Sequence, residues 1–252
     1  MVKPRAVAVV GFKNSGKTRV IEGIVEVLSD RGYRVGTLKH TAEEVTLDTP
    51  GKDTWRHTSA GARSTAILSD EKAAIFRQEP LTIHEAALLL GDIEILLLEG
   101  FKSLDYIPRI IIPKNKAEVD ELSNGLEIAL IQPDNFEISS HIPILGFDEE
   151  EQLADAVLER AIPLLGGFDC GGCGYDSCRE LAKAIMAGEA EATSCIRYAS
   201  GPLTVKVNDE KVELNRFVRT LFKNIVTGMV KPLRGVESPS KIEIVYQVDE
   251  YE

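Results

Sequence analysis

No stretch of the 252 residues approaches the roughly 18 consecutive apolar positions that a membrane-spanning helix needs. Met1 leads within a few residues into a strand-like run instead of a signal-peptide core. We therefore expect a cytoplasmic protein with no membrane contact. Positive charge is short as well: 29 Lys and Arg face 40 Asp and Glu, for a formal charge of -11. Neutralising a nucleic-acid backbone requires the opposite balance, so nucleic acid is not an expected partner, although a local basic pocket is allowed. Histidine is scarce, and His57, His84 and His141 share no ligand spacing; they read as surface or core residues, as Trp55 reads as packing. Cysteine is absent from all but one short segment, which holds Cys170, Cys173, Cys178 and Cys195. Such crowding points to a metal site, because a reducing compartment and a sizeable core make a disulfide framework the poorer explanation.

What is present suits a folded globular chain: 44% of residues are hydrophobic and 27% charged. A β-branched strand at Ala6–Val10 enters a glycine-rich loop, and the helix that follows puts Val20, Ile21, Ile24, Val25 and Leu28 on one face. A strand near Arg34–Leu38 comes next, then a helix from about Asp53, strands near Thr65–Leu68 and Ala73–Phe76, and a helix at Thr82–Leu90. The run Ile93–Leu98 is almost purely apolar, as in a strand buried on both faces at the centre of a parallel sheet. Strands near Arg109–Ile112 and Glu127–Ile131, then a helix from Glu149 to about Leu165, complete the alternation.

This pattern predicts an α/β fold with a mostly parallel central sheet over residues 1–165. Gly166 and Gly167 read as a hinge into a cysteine module at 166–200, with a helical stretch at Arg179–Met186. Gly201-Pro202 marks the exit into a small α+β unit at 201–252. That unit reads as a hairpin over Thr204–Leu214 about an Asn208-Asp209 turn, a helix from about Asn215 to Leu233, and a strand at Lys241–Val248.

Gly11 to Thr18, GFKNSGKT, fits G-x-x-x-x-G-K-T between a strand and an amphipathic helix, the context a phosphate-binding loop requires. Successive N–H groups and the positive end of the helix dipole surround phosphates, and glycines let the backbone approach them. Lys17 is placed to reach the β- and γ-phosphates and the Thr18 hydroxyl to ligate magnesium, with Gly11, Asn14, Ser15, Gly16 and Arg19 as further nucleotide contacts. A second magnesium carboxylate is expected at the end of a neighbouring buried strand, where Glu99 stands. Lys39, His40, Asp48 and Asp53 lie after the second strand, where nucleotide-sensing switches sit. For base choice, Asn115-Lys116-Ala117-Glu118 is close to the N-K-x-D element with which many GTPases hold guanine, but its last residue is wrong, and such a stretch is more often a plain polar turn.

The cysteine spacing is C-x2-C-x4-C-x16-C, with Gly171, Gly172 and Gly174 among the ligands. Four thiolates suit zinc or an iron–sulfur cluster. Structural zinc usually takes two similar pairs, whereas three close ligands and one distant one favour a [4Fe-4S] cluster, whose sulfides glycine N–H groups can approach.

The loop GFKNSGKT, the stretch LKHT with LDTPGKDTWRHTSAGA, and LLLEGFK resemble the molybdopterin-guanine dinucleotide biosynthesis protein B family over roughly residues 1–165. The resemblance implies a P-loop fold, weak GTP hydrolysis, homodimerisation, and help in attaching GMP to molybdopterin. Gly16, Lys17 and Thr18 match the family's phosphate and magnesium contacts, Glu99 its E-G-F glutamate, and Lys39, His40, Asp48, Gly51, Lys52 and Asp53 its K-H and D-x-P-G-K-D elements. This chain has Ala42-Glu43-Glu44 where members commonly carry histidines. The cysteine segment is similar to an iron–sulfur module of electron-transfer and corrinoid-linked proteins of anaerobes.

Three readings follow. The first is a GTP-binding, weakly hydrolysing accessory factor, with Lys17 and Glu99 its catalytic residues. It would act with Mg2+ and a [4Fe-4S] cluster beside a molybdopterin nucleotidyltransferase or an apo-molybdoenzyme or tungstoenzyme, and with a redox partner. The second is a nucleotide-dependent iron–sulfur carrier or electron donor. The third is a nonhydrolytic adaptor.

Overall fold

Strict alternation of apolar side chains in the strands builds two cores, one on each side of a single sheet. The computed structural model describes residues 4–41, 46–132, 136–138, 140–195, 205–208, 210–212, 216–230, 233 and 244. The sheet contains β1 (Arg5–Val10), β2 (Val35–Lys39), β5 (Ile95–Glu99), β6 (Arg109–Ile111), β7 (Glu127–Ile131) and β8 (Ile144–Leu145). Its order is β2-β5-β1-β6-β7-β8, with neighbours parallel, and a short β9 (Ile162–Pro163) runs antiparallel to the start of β1. Ala6, Ala8, Val10, Leu96, Leu98, Ile111 and Leu130 face one core. Val7, Val9, Ile95, Leu97, Ile110, Ala129 and Ile131 face the other. This is the two-sided burial that makes parallel strands read as unbroken apolar runs.

Helices α1 (Lys17–Asp30) and α5 (Glu150–Arg160) cover the second face through Val20, Ile24, Leu28, Leu153 and Val157. The opposite face is covered by α3 (Ile83–Leu89), α4 (Lys116–Leu122) and α6 (Cys178–Met186), through Ala87, Leu122, Leu181 and Ala182. The cysteine segment is thus packed on the sheet: Cys178 and Cys195 are buried in the same core as Leu98 and Ile111. Outside the sheet lie α2 (Asp53–Ser59), the hairpin β3 (Ser64–Leu68) and β4 (Ala73–Arg77), and, in the tail, a hairpin of β10 (Val205–Val207) and β11 (Glu210–Val212) with α7 (Arg216–Val230).

Three local outcomes differ from the sequence reading. The helix from Glu149 stops at Arg160, because Pro163 lacks an amide donor and Ile162 instead pairs with Ala6 in the sheet. The apolar run near residue 95 flanks the centre, which is held by β1. Trp55 is 41% exposed and so is no core residue. The strand expected at 241–248, the exit at Gly201-Pro202 and the Ala42-Glu43-Glu44 departure lie outside the described residues.

Arg109 is 2% exposed and holds the β5–β6 connection in place. Its guanidinium donates to the carbonyls of Leu122 at 2.6 Å, Leu104 at 2.7 Å and Lys102 at 3.5 Å. Removing the donors strands these carbonyls at about 1 kcal/mol or more each. Arg109→Met is therefore expected to lower unfolding free energy by about 3 kcal/mol. Urea denaturation followed by circular dichroism checks this.

Candidate functional site

Two strand ends and one loop converge at the carboxyl edge of the sheet. Register pairs Lys39 with Glu99, and Glu99 with Val9, so the loop leaving β1 opens beside both side chains. Such an edge, where the chain leaves β1 and neighbouring strands diverge, is where open α/β sheets bind ligands. Within the loop Asn14 (φ 57°) and Gly16 (φ 91°) adopt left-handed conformations. These turn successive N–H groups inward as an anion-binding nest. A side chain at Gly11 would place its Cβ 2.4 Å from Ser15 Oγ and 2.8 Å from the Ile112 carbonyl, so the close turn demands glycine. No side chain caps α1, which leaves its first N–H groups for a ligand. Ser15 Oγ is buried inside the loop without a hydrogen-bond partner.

The charged groups are arranged for a polyphosphate and its metal. Lys17 Nζ donates to the Phe12 carbonyl of its own loop at 2.7 Å. Glu99 Oε1 accepts from Thr18 Oγ1 at 3.2 Å and pairs with Lys39 Nζ at 2.8 Å. Thr18 and Glu99 are hard oxygen donors on adjacent elements, so they fit magnesium. Burial lowers the Lys17 pKa, and Lys102, Lys39 and Lys114 lower it further against the opposing pull of Glu99. Lys102 Nζ stands 3.9 Å from the Phe12 ring centroid, and Lys114 donates to the Lys13 carbonyl. Four lysines around one carboxylate make a strongly positive pocket in a chain of net charge -11. Lys102 and Lys114 were not singled out by sequence; only the adjacency of β5, β1 and β6 brings them to the loop.

The other candidates are held differently. His40 lies 5.4 Å, ring to ring, from Phe101, and its N–H bonds the Glu99 carbonyl. Asp48 organises the entry to α2, accepting from the Thr49 amide at 2.8 Å and Thr54 Oγ1 at 3.0 Å. Asp53 opens α2 and lies 4.0 Å from Arg56. Asn115 caps α4, accepting from the Glu118 amide and donating to its carboxylate, both at 3.1 Å. The Asn115–Glu118 turn is therefore a helix cap. Arg19 projects from α1 to Asp148 and lies 5.4 Å from the Phe147 ring centroid.

A second site lies on the opposite core. All four cysteines line one small pocket, with Phe168, Asp169, Gly171 and Tyr175. Among the described residues no three His, Cys, Asp or Glu side chains converge as a single metal ion requires. Cys178 opens α6 behind its cap Ser177, and its amide donates to Asp169 Oδ1 at 2.6 Å. Burial pushes the Cys178 thiol up, opposed by the N–H groups of Asp169, Phe168 and Gly167 that turn toward its sulfur. Gly167 (φ 72°) is wedged against Tyr106: a Cβ there would meet the phenol oxygen at 2.4 Å. Burial pushes the Tyr106 hydroxyl up to about 12. Four soft donors about one cavity, with N–H groups aimed at sulfur and glycines that leave open space, fit an iron–sulfur cluster.

Two family models match the segments that carry these two sites. Residues 6–132 match the family model described as molybdopterin guanine dinucleotide synthesis protein B. Residues 165–197 match a second model, described as a proposed Fe-S cluster. A protein of Methanocaldococcus jannaschii, provisionally named a molybdopterin-guanine dinucleotide biosynthesis adapter, is 29% identical over 97% of this chain and 98% of its own length. A similarly named Bacillus subtilis protein is 36% identical over 61% of this chain and 91% of its own. The crystal structure of Bacillus subtilis MobB superposes with a TM-score of 0.54 at 32% identity, covering 62% of this chain and 98% of that one.

Proposed function

This chain belongs to the molybdopterin guanine dinucleotide synthesis protein B family, and on that premise we propose that it is a GTP-binding, weakly hydrolysing adapter in molybdenum or tungsten cofactor assembly. The observation that carries the nucleotide part is the meeting of Thr18, Glu99 and Lys39 beside the inward-turned loop. In this reading the loop amides and Lys17 would bind the β- and γ-phosphates, Thr18 and Glu99 would hold Mg2+, which when bound would neutralise phosphate charge, and Lys39 would stand beside them as a further positive charge for the terminal phosphate. Charge neutralisation and positioning account for most of phosphoryl-transfer catalysis, which suits this group of residues. Lys102 and Lys114 add to the field that draws in the triphosphate.

The four cysteines would hold a [4Fe-4S] cluster, which when bound supplies one-electron chemistry. The partner is a molybdopterin nucleotidyltransferase or an apo-molybdoenzyme or tungstoenzyme. In this reading the chain acts as a homodimer, as its family resemblance implies. The test is reconstitution of GMP attachment with the transferase. The wild-type chain with Mg-GTP is expected to raise cofactor loading severalfold and the Lys17→Ala variant to give none of that gain. Loading indifferent to this protein and to GTP would sink the proposal.

One observation favours a second reading. Cys173 and Cys178 belong to the same apolar core as Phe12 of the phosphate loop, which suits a nucleotide-dependent iron–sulfur carrier or electron donor. Cluster transfer to an apo-ferredoxin that responds to nucleotide would support it, and a cluster that stays in place under every nucleotide would rule it out.

A further inference from the structure

We infer that the turn Gly146–Glu149 is the purine-recognition site, with Asp148 reading the guanine Watson–Crick edge and Phe147 supplying the apolar surface beside the ring. The inference rests on the proposed seating of a triphosphate in the loop. The metal ligand Glu99 and its neighbour Lys39 lie on the β5–β2 side of β1, while β8 lies on the other side, beyond β6 and β7. A nucleotide with its terminal phosphates directed toward Glu99 must send its nucleoside away from that side. What stands there is the β8–α5 turn, close enough that a Cβ on Gly16 would lie 2.7 Å from the Phe147 ring.

The turn is rigid. Glu149 folds back to accept from the Gly146 amide at 2.6 Å. The helix it starts is seated closely on α1: a Cβ at Gly23 would lie 2.3 Å from Glu150 Cγ. Arg31 on α1 adds ion pairs to Glu151 and, at 2.6 Å, to Asp155. The backbone at Asp148 is therefore held at a set distance from the phosphate loop, and its exposed carboxylate is free to turn toward a base.

The chemistry selects guanine. Its N1–H and 2-amino group are adjacent donors that match the two carboxylate oxygens as a bidentate, charge-assisted pair. Adenine presents a lone pair at N1, which a carboxylate repels. Asp148 is paired with Arg19, but the two side chains are 86% and 60% exposed. An ion pair so exposed is held only weakly, so the base can displace the guanidinium from the carboxylate. The competing candidate, Asn115–Glu118, spends the same polar atoms on capping α4.

The experiment is calorimetric titration of the full, anaerobically purified chain with the magnesium complexes of GTP, ITP, ATP and XTP. ITP lacks the 2-amino donor. Wild type should bind it about 10- to 100-fold more weakly than GTP, the loss expected for one hydrogen bond to a charged group, and ATP at least as weakly as ITP. Asp148→Asn should lose GTP affinity by roughly 100-fold and gain XTP affinity by about tenfold or more, because asparagine can donate to the xanthine 2-oxo group. The exposed position leaves folding intact, and the ITP result needs no variant. Equal wild-type affinities for GTP and ITP, or an Asn variant that still prefers GTP over XTP, would overturn the role of Asp148 while leaving the GTP reading standing. Tighter binding of ATP than GTP would overturn both.

Discussion

Lys17→Ala is expected to weaken Mg-GTP binding by about 100-fold or more, close to 3 kcal/mol, and to leave the melting temperature unchanged. The two halves of this expectation have different sources. Lys17 is half-buried and ringed by Lys39, Lys102 and Lys114, so the pocket holds an excess of positive charge that only an anion relieves. Its contact within the protein is the carbonyl of Phe12, in the loop it belongs to, so truncation releases one local hydrogen bond and relieves some repulsion. Titration calorimetry and a thermal melt on the same preparation separate binding from folding. A variant that melted many degrees lower would make Lys17 a structural residue.

The second large effect is expected at the cysteine cavity. Anaerobically purified wild type should carry about four iron and four sulfide per chain, and Cys178→Ala and Cys170→Ala should each fall below about one. Stability should separate the two variants. Cys178 is buried against the sheet, within the core that includes Leu181 and Ala182, whereas Cys170 is exposed. Removing a buried sulfur leaves a small cavity, so Cys178→Ala should cost about 1 to 2 kcal/mol beyond the shared loss of the cluster. Iron, sulfide and zinc analysis with denaturation of both apoproteins checks this. Stoichiometric zinc in the wild type would replace the cluster by a structural clip.

Much of this was legible in the chain. A parallel sheet announces itself by apolar runs too long to alternate, and β1 and β5 are such runs. The phosphate loop is a local motif, and Glu99 is legible because it ends a buried strand whose position the motif implies. The cysteines are legible through their crowding. What escaped depends on register and on competition for the same atoms. Lys102 and Lys114 are ordinary lysines in polar connections until parallel pairing of β5 and β6 with β1 sets them beside the loop. Asn115 with Glu118 spells both a base-recognition fragment and a helix cap, and the fold chose the cap. Phe147 and Asp148 gain meaning only from Gly16, 131 positions earlier in the chain, where a glycine is needed to admit an aromatic ring. Tyr106 likewise becomes legible only through Gly167. Pro163 did carry a local signal: it should have ended the helix from Glu149 earlier than the apolar pattern alone suggested.

The most direct measurement is a paired titration of Mg-GTP and Mg-ATP into the full, anaerobically purified chain. Saturable binding of one GTP per chain is expected, abolished by magnesium chelation and at least about tenfold tighter than that of ATP. No saturable binding, or a preference for ATP, would contradict it.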